Sequence, residues 1–187
     1  MLLTKKITTG WSALAVLLVV GLSASAFAEG PPTSAVQRQV ADRLVDFKSV
    51  AYELRREADT LDSHRNKPLA WQTHSYHLEN LRDQVNRLGK ALTELEASMP
   101  MATEGQRMAI EHARPHLAAV AQSTTQAIEL LRDNRNSIRF PEYGDIVSEL
   151  YAHAEALHTK VDTIIDFENV RMRMDALELQ SKSTEGS

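Results

Sequence analysis

Between Trp71 and Met99, the residues Trp71, His74, Leu78, Leu81, Val85, Leu88, Leu92, Leu95 and Met99 recur at spacings of three and four. That repeat draws one narrow stripe along an α-helix and buries it against partner helices, as in a coiled coil or an antiparallel bundle. Eight of the nine stripe residues are apolar and His74 is the exception. The stripe therefore constrains the fold far more than the chemistry.

The same period recurs on both sides of it. Ser34 and Gln37 have the spacing of a capping box, in which each side chain satisfies a backbone amide of the first turn. The helix they open carries Val40, Leu44, Phe47, Ala51, Leu54, Ala58 and Leu61 at alternating steps of four and three. Ser63 to Lys67 interrupts the pattern, and Pro68 suits the first turn of a second helix, where its missing N–H costs nothing. Thr103 and Gln106 form a second capping box ahead of a stripe of Ile110, Ala113, Leu117, Val120, Thr124, Ala127 and Leu131. Pro115 lies inside that helix and should kink it or loosen the turn before it. After a polar break at Asn134 to Ser137, Pro141 starts a fourth helix with Val147, Leu150, Ala154, Leu157, Val161 and Ile164.

The expected helices cover 34–62, 67–99, 103–133 and 141–180, with a leader at 29–33 and a disordered tail at 181–187. Short connections make consecutive helices antiparallel neighbours. The expected fold is thus all-α, an antiparallel up-down-up-down four-helix bundle. Its main competitor is a pair of hairpins exchanged between two copies. The fourth helix is longer than the others and should project past the bundle or kink near Phe167.

Residues 1–28 read as a secretory signal peptide rather than as part of this fold. Lys5 and Lys6 precede an apolar run from Ala13 to Leu22, and Ala26-Phe27-Ala28 has the small-x-small form of a cleavage site. Cleavage before Glu29 leaves 187 − 28 = 159 residues, with 19 basic against 25 acidic side chains. An uncleaved anchor spanning Trp11 to Ala28 is the alternative, and it is short of the roughly 20 residues a spanning helix needs. Export predicts a periplasmic or secreted protein, without stable membrane insertion once the signal is removed.

The acidic balance argues against a nucleic-acid partner, whose phosphates call for clustered Lys and Arg. The chain contains no cysteine. Disulfides, thiolate metal sites and covalent c-type haem are thereby excluded, and packing alone must hold the domain together.

Two groups of residues merit attention as sites. Counting inward from the connections places Trp71, His74, Thr124, Tyr151 and His153 in one half of the bundle. Aromatic walls with a few convergent polar groups are what a small-molecule pocket requires, and they equally fill a wide bundle end. His74 is on the stripe, so burial should hold it neutral, with Thr124 or His153 available to its ring N–H. As a core residue it would fix helix register; as a ligand it would serve non-covalent haem.

The second group is His112, His116 and His158. His-x-x-x-His is a chelating spacing for zinc or copper, and equal counting depth brings His116 opposite His158. Flanking surface histidines would show the same spacing. Glu155-Ala-Leu-His158 is an isolated Glu-x-x-His, and the paired sets of a di-iron site do not occur.

No nucleophile–base motif, phosphate loop or carboxylate pair stands out. The sequence thus points to a non-enzymatic exported protein acting through its helix faces, as an envelope adaptor or chaperone-like protein, by binding a protein partner or itself. No cofactor is expected on this reading. A metal, haem or small-molecule carrier built on the bundle histidines is the alternative.

Overall fold

A computed structural model describes residues 35–65, 67 and 70–185. The signal segment 1–28, the leader, the Ser34 half of the first capping box, Pro68 and the last two residues of the tail lie outside them. The described residues form four helices: α1 (Ala35–His64), α2 (Trp71–Ala97), α3 (Glu104–Asp133) and α4 (Pro141–Glu185). Two short 3-10 turns, Met99–Met101 and Arg135–Arg139, connect α2 to α3 and α3 to α4. There is no strand among the described residues.

Each helix packs on two others. α1 lies against α2 and α4, α3 lies against the same two, and α1 and α3 barely meet across the centre. This ring follows from the stripes. In α1 the buried set is Val40, Leu44, Phe47, Ala51, Leu54, Ala58 and Leu61. In α2 it is His74, Leu78, Leu81, Leu88, Leu92 and Leu95, with Val85 only half-buried. Full burial of a Leu or Val contributes about 1.5–3 kcal/mol, and in a chain without cysteine this packing is what opposes the entropy lost on folding.

The helix ends are secured locally. The Thr103 hydroxyl accepts from the Gln106 amide at 3.2 Å, and the Gln106 side chain accepts from the Thr103 amide at 2.9 Å. Gln106 Nε2 also donates to the Gln37 carbonyl at 3.0 Å, which ties the first turn of α3 to α1. α3 then runs through Pro115 as one α-helix. Its far end is met by Asn134, whose side chain accepts from the Asn136 amide at 3.0 Å.

Polar side chains on α4 meet α1 along one flank. Arg65 donates to Ser148 at 2.6 Å, Arg55 to Glu155 at 3.1 Å, and Lys48 pairs with Asp162 and, at 3.5 Å, with Asp166. The three α4 residues Ser148, Glu155 and Asp162 are seven apart and each follows a buried stripe residue.

Most helix ends fall within two residues of the sequence reading, and two differ by more. α2 begins at Trp71, since Ala70 is extended. α4 runs on to Glu185, so 181–185 is helix rather than disordered tail. Ser181 and Ser183 return their hydroxyls to the carbonyls of Glu178 and Gln180, and Lys182 pairs with Glu178 at 2.8 Å. These local bonds let a polar segment stay helical.

At 45 residues α4 spans roughly 68 Å, against roughly 45 Å for the 30 residues of α1. Beyond Ile165 every described side chain of α4 is exposed except that of Glu168. None of the described helices is long and apolar enough to cross a membrane.

Candidate functional site

The predicted pocket residues separate in three dimensions. His74 is buried at 1% exposure, and its Nδ1 lies 3.1 Å from the Tyr143 hydroxyl. Tyr143, also buried, is therefore the partner for which Thr124 and His153 were expected. The Thr124 hydroxyl is used inside its own helix, donating to the Val120 carbonyl at 2.7 Å. Whichever of His74 and Tyr143 donates, Nε2 of His74 has no hydrogen-bond partner. Burial pushes the His74 imidazole below its ordinary value, with the neighbouring His64 and His77 adding to the effect. Burial likewise pushes the Tyr143 phenol up. The pair is a neutral core contact.

Trp71 does not floor a cavity with His74. It is half-buried, the guanidinium of Arg135 lies 4.3 Å above its ring, and both line a surface cleft with Ser75, Glu79 and Arg132.

The flanks of α4 explain the remaining histidines. Successive helix residues are rotated by about 100°, so the residue before a stripe position and the one after it look to opposite sides. His153 precedes Ala154 and its ring centroid lies 6.0 Å from that of His116 on α3. His158 follows Leu157 and its ring lies 5.4 Å from Tyr52 on α1. The structure thus pairs His116 with His153 instead of His158. Tyr151 follows Leu150 and belongs to the α1 side, near Arg55. His112 is exposed. Burial, followed by His153, Lys160 and His112, pushes His116 below its ordinary value. No group of three or more His, Asp or Glu side chains among the described residues has metal-binding geometry.

A different surface emerges where α1 and α3 begin and α4 outruns them. Ala41, Leu44 and Val45 of α1, Ala109 of α3, and Ile164, Ile165 and Met172 of α4 line an apolar groove of about 170 Å³. Gln106 and Glu168 stand at its polar edge. Its depth depends on Gly105, since a Cβ there would collide with the Glu168 side chain, which lies across the first turn of α3. A carboxylate at that place is favoured by the exposed amides and the dipole of the helix start.

From the groove the exposed part of α4 carries Phe167, Val170, Met172, Met174, Leu177 and Leu179, each 49% exposed or more. These are half of the large exposed apolar side chains among the described residues. Met101 and Met108, which flank the groove segment Thr103–Gln106, are exposed as well. All five methionines after the first residue thus fall on α4's exposed part or on the α2–α3 connection and the first turns of α3. Methionine is flexible and polarizable, a property of surfaces that accommodate varied apolar partners. Composition held that signal, in where the methionines fall, whereas the helical stripe did not.

Compared with protein-family models, curated proteins and solved structures, the chain matches none.

Proposed function

We propose that this is an exported, non-enzymatic helical protein that acts by binding protein partners, as an adaptor or chaperone-like protein of the cell envelope. The observation that carries the reading is the apolar groove at the α1–α3–α4 end, lined on α4 by Ile164, Ile165 and Met172 and continued along the same face of α4 by exposed Leu179. An exposed apolar groove rimmed by polar side chains such as Gln106 and Glu168 has the character of an interaction site. The occupant that fits is an apolar helical or extended segment of another protein.

The proposed scaffold is the up-down-up-down antiparallel bundle. Its support is that contacts of α1 and of Arg65, which follows it, run backwards along α4, from Arg65–Ser148 through Arg55–Glu155 to Lys48–Asp162. Removal of residues 1–28 in the periplasm or on secretion belongs to the same proposal and rests on the Lys5–Lys6, apolar and Ala26-Phe27-Ala28 sequence. Partners without nucleic acid fit the acidic charge.

Photo-cross-linking in cells from position 45 and position 172 tests the reading, with exposed Asp83 as the reference position. Discrete protein adducts from both groove positions, lost when Ile165→Glu places a charge in the groove, are expected. Adducts no different from those at position 83 would overturn it.

One observation favours a second reading, a carrier of zinc, copper, non-covalent haem or another small molecule: the unpartnered Nε2 of buried His74. Metal analysis and the visible spectrum of the protein recovered from the export compartment test it. Stoichiometric metal or a Soret band, lost in His74→Ala or His116→Ala, would support the carrier, and a colourless metal-free protein would end it.

A further inference from the structure

The exposed part of α4 has two apolar faces. Ile165, Met172 and Leu179, seven residues apart, continue the stripe that faces the bundle, and the first two line the groove. Phe167, Val170, Met174 and Leu177 lie on the opposite face at steps of three, four and three, and all four are at least half exposed. That is the seam spacing of a coiled coil, and nothing among the described residues covers it. We propose that this seam pairs two copies of the chain through a parallel coiled coil of their α4 extensions.

The charges beside the seam select the partner and its direction. Taking Phe167 and Met174 as the first seam positions of successive heptads, the flanking residues are Asp166 and Arg173 on one side and Arg171 and Glu178 on the other. In a parallel pair each first-side residue faces the second-side residue five positions further along the second copy. Asp166 then meets Arg171, and Arg173 meets Glu178, so both contacts join opposite charges and each occurs twice by symmetry. In an antiparallel pair with Phe167 against Leu177, Arg171 faces Arg171 and Arg173 faces Arg173.

Within the chain these charges are only loosely engaged. Arg171 and Arg173 have no ion-pair partner among the described residues. Asp166 is the more distant of the two carboxylates at Lys48, and the Glu178 carboxylate pairs with Lys182, one turn away on the same helix. Lys160, one heptad before Phe167, would set like charges together on the seam and ends the pairing there. The paired stretch is short, so association is concentration-dependent.

Sedimentation of the protein made from the full-length chain, from about 1 to about 500 µM, reads this directly. A doubling of mass toward the upper end is expected, and it is lost in Leu177→Lys. Two double variants test the charge rule: Asp166→Arg with Glu178→Arg, and Arg171→Glu with Arg173→Glu. Each alone stays monomeric, whereas an equimolar mixture regains the dimer, because all flanking contacts are again of opposite sign. All four positions are exposed, so helical circular dichroism should be unchanged.

Direction is read from cysteine, which the natural chain lacks. Under diamide, Leu177→Cys cross-links with itself. A monomer at every concentration, a dimer indifferent to the charge variants, or a cross-link that needs Phe167→Cys in the other copy would each overturn the proposal.

Discussion

The two stretches of α4 on either side of Ile165 share one continuous helix and both carry apolar residues at helical spacing, yet differ in what covers them. Before Ile165, the stripe residues Val147, Leu150, Ala154, Leu157 and Val161 are fully buried, because α1 and α3 run alongside. After it, Met172 and Leu179 continue that same face at seven-residue steps from Ile165 and are exposed, because α1 and α3 begin there. Phe167, Val170, Met174 and Leu177 add a second exposed row on the opposite face. The comparison teaches that a helical stripe specifies that some surface needs covering, while the length of the neighbouring helices decides whether this chain supplies the cover. The first stretch serves the fold. The second is left for a partner.

Truncation on each side should break that comparison most sharply. Leu54→Ala, at 0% exposure among α1, α2 and α4, is expected to lower stability by about 2–5 kcal/mol in urea unfolding. Leu177→Ala, at 65% exposure, should leave dilute protein within about 0.5 kcal/mol of the parent. Equal losses at the two positions would mean that the extension is covered within the monomer.

The next effect concerns the buried polar pair. Tyr143→Phe removes the contact to His74 Nδ1 and leaves both ring nitrogens of a buried imidazole without a partner. A loss of about 1–3 kcal/mol is expected by the same assay. Protonation probes the same site. The folded-state values of His74, His64 and His116 all lie below the ordinary 6.5, so the unfolded chain binds more protons as the solution is acidified. Stability is therefore full above 6.5 and falls as pH drops from there toward the folded values. His74→Leu should flatten this acid limb in urea midpoints compared at about pH 7.5 and about pH 5; an unchanged limb would assign it to other groups.

A smaller gain in stability sharpens the account of the groove. Gly105→Ala gains helix propensity but must displace the Glu168 side chain. With Glu168→Ala in the background only the gain remains, about 0.5–1 kcal/mol. A double-mutant cycle in which the two changes are simply additive would show that Glu168 does not depend on the glycine.

Much of the fold was legible along the chain. The α1 stripe from Val40 to Leu61 and the α3 stripe from Ile110 to Leu131 are the residues the bundle buries, since their spacing selects one side of a helix before any partner is known. Thr103 and Gln106 form their capping box as their spacing required, because both bonds close within one turn. The helix of 181–185 was missed because Ser181 and Ser183 read as tail residues, and only their return bonds show otherwise. The sites were far less legible. Depth counting put His116 opposite His158, yet depth says nothing about which flank of a helix a residue occupies.

By itself, the sequence determined that this chain forms amphipathic helices, where one of them is capped and which side of each is apolar. These are local properties, carried by period and by contacts within a turn. Only the tertiary structure decided that Tyr143 is the partner of His74, that His116 meets His153 while His158 meets Tyr52, and that Glu168 lies across Gly105. A step of one residue turns a side chain through about 100°. Which neighbour it then meets depends on the order of helices around the ring and on where each one ends, and no local spacing encodes either.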